Sequence, residues 1–275
     1  MTEATKLDRV RTYYASFDEW GRLDSPEGVR ELARASEILT ENLPPNSRIL
    51  DLGGGPGRYA IALARNGHRV VLADLSRTQL EIARGKVAEA GLSALVESYD
   101  EVNATNLSIY ADASFDAVVA FGPFYHLTSE AERRQTAREI RRVLTLGGHA
   151  FVAFVPRLAG LMGLIDRAAT TPAQVSVDAF RTAADVGVFS NAASSGFQEG
   201  YYPTPTEMAQ LFESSGFHVG DMLSLKSIAC DRGTQVARLD SSLQSEVERI
   251  ARKLCRQPEV IATSGHALLI ASHRR

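Results

Sequence analysis

From about residue 47 onward, short apolar runs alternate with longer stretches whose apolar residues recur at helical spacing. Arg48-Ile49-Leu50-Asp51 is expected to form a strand ending in glycines, and Tyr59 to Asn66 the helix after it. His68 to Ala73 predicts a second strand, and Arg77 to Ala90 a second helix stopped by Gly91. A third strand is expected within Ala94 to Val102. Phe115 to Phe121 is almost free of polar residues, which marks a strand covered on both faces. Glu130 to Leu144 then reads as a charged amphipathic helix closed by Gly147-Gly148, and His149 to Val155 as another buried strand. Strands alternating with helices of about ten to fifteen residues build βαβ units, hence an α/β fold with a parallel sheet.

After Pro156 the rhythm breaks. Leu158 to Ala169 is helix-like, but the Thr/Pro/Ser/Gly-rich remainder of 157–200 has little periodicity, as expected of a lid insertion. Pro205-Thr206-Glu207 opens a helix that ends near Ser215-Gly216. His218 to Lys226 reads as a strand, Ser242 to Cys255 as a helix and His266 to Ser272 as a last strand. The expected organisation is an N-terminal helical cap over 1–45 and one domain over 46–275, with the lid at about 157–200.

Composition narrows the classes of function. The 275 residues carry 44% apolar and 23% charged side chains with a formal net charge of −3, so no basic excess is available to neutralise a phosphate backbone. Nucleic acid is therefore not the expected partner. Cys230 and Cys255 lie far apart, outside any C-x-x-C pattern, which suits a reducing compartment. Met1 to Arg11 has no apolar h-region, and Ala150 to Ile165 is broken by Pro156 and Arg157. The expectation is a cytoplasmic protein without a membrane partner. The histidines show no metal-ligand spacing, so no metal is expected.

The chemistry concentrates in Asp51-Leu52-Gly53-Gly54-Gly55-Pro56-Gly57-Arg58. Glycines between a strand and a helix let main-chain N–H groups approach a ligand at a helix N-terminus. The dinucleotide fingerprint fails, because Arg58 stands where its third glycine belongs, and no Gly-Lys-Ser/Thr follows for a P-loop. What remains is Asp51, Gly53, Gly55 and Gly57 at alternate positions. Asp74 closes the second strand, where an acidic side chain can accept hydrogen bonds from both hydroxyls of a ribose. Arg58 itself reads as a surface charge.

This pattern resembles motif I of the class I S-adenosylmethionine-dependent methyltransferases, and residues from about 45 to 155 are similar to that family. The resemblance implies a seven-stranded, doubly wound, mostly parallel sheet whose last strand is antiparallel, with helices on both faces. It implies S-adenosyl-L-methionine as cofactor, held by Gly53, Gly55, Gly57 and Asp74, with Asp51 near its amino and sulfonium groups. Asn103-Ala104 stands where the family has Asp-Ala at the adenine, and Asp100 is the competing candidate. The aromatic group Tyr13, Tyr14, Phe17 and Trp20 would fold over the cofactor, Tyr13 among its contacts. Phe121 to Leu127 resembles the segment between cofactor and substrate.

On the substrate side the candidates are Tyr14, His126 as a base, and Tyr202, which with Tyr201, Phe197 and Glu199 ends the lid. Arg11, Arg22 and Arg157 stand where a substrate carboxylate could be met. The resulting expectation is transfer of a methyl group to a small-molecule acceptor, mainly by positioning and desolvation, by a monomer or homodimer. Two rivals stay open: cyclisation of the cofactor with release of methylthioadenosine, and cofactor binding without catalysis.

Overall fold

A computed structural model describes residues 3–191, 193, 199–229 and 232–274. Phe197 and Cys230 lie outside these residues. In chain order the elements are α1 (Glu3–Ser16), α2 (Glu19–Arg22), α3 (Pro26–Asn42), β1 (Arg48–Leu52), α4 (Arg58–Arg65), β2 (Arg69–Asp74) and α5 (Arg77–Glu89). Then come β3 (Val96–Glu101), β4 (Phe115–Ala120), α6 (Glu130–Val143), β5 (Leu144–Phe154), α7 (Arg157–Thr170) and α8 (Val177–Val186). The chain continues through β6 (Val188–Ser190), β7 (Glu199–Tyr201), α9 (Pro205–Ser214), β8 (His218–Ser224), α10 (Gly233–Ala237), α11 (Ser241–Leu254), α12 (Pro258–Ala262) and β9 (Ala267–Ser272).

Seven strands form one sheet in the order β3-β2-β1-β4-β5-β9-β8. The first five are mutually parallel, and β9 runs antiparallel to both its neighbours. Alternate residues of each central strand feed two cores. Ile49, Val70, Ala117 and Phe151 pack under α3, α4 and α5, while Leu50, Val71, Val118 and Val152 pack under α6, α9 and α12. Burial on both faces is the physical reason for the nearly uninterrupted apolar runs.

Two local readings differ from the structure. The helix expected to reach Leu144 stops at Val143, because Leu144 already pairs with Phe115 of β4; the register then slips and resumes at His149 opposite Ala117. The stretch without evident periodicity contains α8, whose start is capped by Ser176 and whose end turns at Gly187. With α7 and the β6–β7 hairpin it forms a small separate core of Leu164, Ala183, Phe189 and Tyr202. Among the described residues no helix is long and apolar enough to cross a membrane.

Candidate active site

The strand order reverses between β1 and β4, and open α/β sheets hold ligands at the carboxyl ends of strands on either side of such a reversal. A cleft with about 1230 Å³ of space free of atoms, part of it open to solvent, lies there. Its floor is the glycine turn after β1, the end of β2 at Asp74 and the segment after β4. Its roof is one face of α1, since Leu7, Val10, Arg11 and Tyr14 repeat at three- and four-residue spacing and all face the cleft.

Two glycines in the turn have specific reasons. Gly53 sits at φ +72°, and a Cβ there would come within 2.9 Å of the Pro123 ring across the reversal point. Gly57 caps α4 at φ +88°, and a Cβ would press on Ala83 and Leu72 at 3.2 and 3.3 Å. Gly53→Ala should therefore combine left-handed strain with a clash, costing about 1–3 kcal/mol of stability. Gly55→Ala carries the strain, but a Cβ there meets nothing nearer than Glu19 at 3.6 Å, so its loss should be smaller. Equal urea midpoints for the two variants would contradict this account.

Asp74 organises the turn. Its Oδ2 accepts from the Gly55 N–H at 2.9 Å and its Oδ1 from the Ser76 N–H at 2.8 Å, and the carboxylate, with acceptor capacity left over, lines the cleft. Burial pushes its carboxyl upward, and those two N–H groups pull it back. Asp51 is more exceptional. It is 1% exposed, one carboxylate oxygen has no partner, and burial, followed by the charge of Asp74, raises it to about 7. Among the described residues seven buried side-chain polar atoms lack a hydrogen-bond partner, and five belong to residues of this one cleft: Asp51, Arg58, Tyr59, Gln79 and His266. Buried polar groups are normally satisfied, so such a concentration marks a surface shaped for a polar ligand.

The roof is fastened at several points. The Tyr14 hydroxyl lies 2.8 Å from His126 Nε2, which joins α1 to the segment after β4. Gln79 Nε2 donates to the Tyr14 carbonyl at 2.6 Å, and Arg9 approaches Glu199 of β7 at 3.5 Å. Arg58 lies 3.8 Å over the Trp20 ring, donates to the Trp20 carbonyl and pairs with Asp24. It is thus no free surface charge but a clamp holding the cap on the glycine turn. Behind Tyr14 stand Tyr125, the Glu19–Arg22 pair at 2.7 Å, and Glu31 bonded to His266 at 2.8 Å. Burial raises the phenols of Tyr14, Tyr59 and Tyr125, so all three remain hydrogen-bond donors.

The structure thus brings Asp51, Gly53, Gly55, Asp74, Asn103, Ala104, Tyr14 and His126 to one cleft. Others of the expected residues lie elsewhere. Gly57 faces the core beneath the turn, and Tyr13 stacks on Phe17 with ring centroids 5.2 Å apart. Tyr202 packs under Gly160 in the core of the 157–202 segment, none of whose described residues lines the cleft. Arg157 pairs with Glu207 and is likewise outside. Asn103 lines the cleft while its Oδ1 accepts from the Thr105 N–H; Asp100 is turned away to Ser98 and Tyr110. Tyr125 lies in the Phe121–Leu127 segment expected beside the substrate, whereas Glu19 and His266 of the cleft wall, and Glu31 behind His266, carry no local motif that marks them. Among the described residues no group of three or more metal-type side chains gathers.

Comparison with known proteins bears on this geometry. Residues 49–148 match the model of the methyltransferase domain family. The methyltransferase GfsG of Streptomyces halstedii is 35% identical over 168 residues, 58% of this chain and 57% of that protein. The ubiquinone/menaquinone biosynthesis C-methyltransferase UbiE of Xanthomonas campestris is 33% identical over 129 residues, 46% of this chain and 49% of that protein. The chain thus spans about half the length of the curated relatives it matches. The solved 1,6-didemethyltoxoflavin-N1-methyltransferase of Burkholderia thailandensis, with bound S-adenosylhomocysteine, shares the fold with TM-score 0.60 and 16% identity, over 98% of this chain and 88% of that one.

Proposed function

We propose, proceeding from a chain whose residues 49–148 form a class I S-adenosylmethionine-dependent methyltransferase domain, that it methylates a small molecule held under the α1 roof. The observation that carries this reading is the unpartnered, buried carboxylate oxygen of Asp51 beside Asp74 at the glycine turn. The residues fit the cofactor: Asp74 has acceptor capacity for ribose hydroxyls, Asp51 has a charge for cationic groups, and Val102, Asn103 and Ala104 line the wall where the adenine would lie. When bound, that cofactor supplies an electrophilic methyl group on a positively charged sulfur.

The chain's own contribution is positioning and exclusion of water. Leu7, Val10 and Leu23 cover the cleft, and in-line placement alone recovers much of a bimolecular barrier. The cleft continues past Asp51 to Glu19, Arg22, Tyr125 and His266, space that cyclisation of the cofactor alone does not need. We assign closure to α1, and to the 157–200 segment the bracing of α1 through Glu199.

Product analysis tests the reaction. Incubation with S-adenosylmethionine and small-molecule extracts should release S-adenosylhomocysteine; methylthioadenosine in its place would show cyclisation, and neither product would leave a binding protein. The roof is tested separately. Tyr14→Phe keeps the ring but removes the hydroxyl that bonds His126 and Tyr125 in the segment after β4, a loss of about 1 kcal/mol or more, so S-adenosylhomocysteine should dissociate at least about fivefold faster in stopped flow. An unchanged off-rate would remove the latch role.

A further inference from the structure

Because β9 runs against the other strands of its sheet neighbourhood, its first residues lie at the edge where the parallel strands end. His266 immediately precedes it and is 8% exposed at the inner wall of the cleft. Its Nδ1 lies 2.8 Å from Glu31 Oε1 of α3, and Lys226 approaches the other carboxylate oxygen at 3.6 Å. Glu31 is 2% exposed; against its desolvation, His266, Lys226 and Arg22 hold its carboxyl down to about 2. A permanent carboxylate at Nδ1 demands a proton on that nitrogen. The ring's other nitrogen, Nε2, is buried without a partner. His126 differs, since its Nε2 already meets the Tyr14 hydroxyl.

We propose that His266, oriented by Glu31, is the base that takes a proton from the acceptor, and that the acceptor presents a hydroxyl on an otherwise apolar small molecule. The inference rests on the methyltransferase reading above. A neutral amine attacks with a free lone pair and sheds its proton afterwards, whereas a hydroxyl oxygen is a weak nucleophile until its proton leaves. In the step, the O–H proton passes to Nε2 while an oxygen lone pair forms the O–CH₃ bond. The electron pair of the broken C–S bond stays on sulfur, so the sulfonium charge is lost and an imidazolium charge appears beside Glu31. Leu7, Val10, Leu23 and Phe121 give the rest of the acceptor an apolar surround. Ionisable groups facing the dyad are Glu19 and Arg22 of α2, Tyr59 of α4, Tyr125 after β4 and Lys226 after β8. Glu31 acts as a positioning residue.

The test uses full-length protein labelled with ¹⁵N-histidine and saturated with S-adenosylhomocysteine, assigned through His266→Gln. Two-bond ¹H–¹⁵N spectra at about pH 8 should show a bare His266 Nε2 and a protonated Nδ1. 4-Methylphenol should shift that Nε2, and 4-methylanisole, of the same shape without the proton, should not. Glu31→Gln should mix the two tautomers while S-adenosylhomocysteine affinity by calorimetry stays within about threefold. His266→Gln should keep that affinity too, with methylation of hydroxyl acceptors down about 10²–10⁴-fold. A proton on Nε2 overturns the inference, as does any outcome in which the two probes act alike, absence of a shift included. Failure of the wild-type protein to bind S-adenosylhomocysteine would instead overturn the methyltransferase reading beneath it.

Discussion

Asp74→Ala should weaken S-adenosylhomocysteine binding by about 10²–10⁴-fold in calorimetry. Two hydrogen bonds to a carboxylate are lost on the ligand side, each worth about 1.5–3 kcal/mol. The same substitution releases the Gly55 and Ser76 N–H groups, so the turn loses the anchor that shapes it. Asp74→Asn separates the two effects. Asn keeps one oxygen to accept a backbone N–H but no longer offers two acceptors to a ribose, so its affinity should fall between alanine and wild type. Wild-type affinity in Asp74→Ala would remove the ribose site from the end of β2.

Asp51→Asn should make the unliganded protein more stable and the ligand weaker. A carboxyl raised from its ordinary 3.8 to about 7 carries a folding cost of roughly 4 kcal/mol once ionised. The sign follows from a folded value above the unfolded one. The relative stability from this group is fully present below about pH 4 and is lost as pH rises through about 7. Asn ends that loss. The variant should therefore gain about 2–4 kcal/mol in urea unfolding near pH 8 and nothing near pH 4.

Binding has the opposite requirement. A cationic ligand favours ionised Asp51, so affinity for S-adenosylmethionine should rise as pH passes through about 7, with a proton released on binding. Calorimetry near pH 6.5 in buffers of different ionisation enthalpy measures that proton. No buffer dependence, or a destabilised Asp51→Asn, would contradict a strained carboxylate kept for its ligand.

Both residues are legible in the sequence. Asp51 stands next to last in β1 and Asp74 ends the neighbouring parallel β2, and the glycines between strand and helix show where the chain must turn closely. Each of these signals is local, because strand ends, turns and caps are written in adjacent residues. The α8 helix was not legible, since its apolar face packs against α7 and the β6–β7 pair inside a stretch rich in turn residues. Tyr13 and Tyr14 show the same boundary within one helix. Which of two adjacent tyrosines faces the cleft depends on the rotation of α1, and that is set by Gln79 and His126 far along the chain.

Periodicity along the chain therefore settled the α/β class, the two-faced core and the glycine turn, since each is a repeat or a contact between near neighbours. The inner end of the cleft came from topology. Glu31 and His266 stand 235 positions apart, and neither carries a motif. They meet because α3 packs over the sheet and β9 runs backwards, which returns the chain to the carboxyl edge just before residue 267. No local signal places residue 31 beside residue 266, so the bond from Glu31 to His266, and the buried nitrogen it leaves without a partner, exist only in the folded chain.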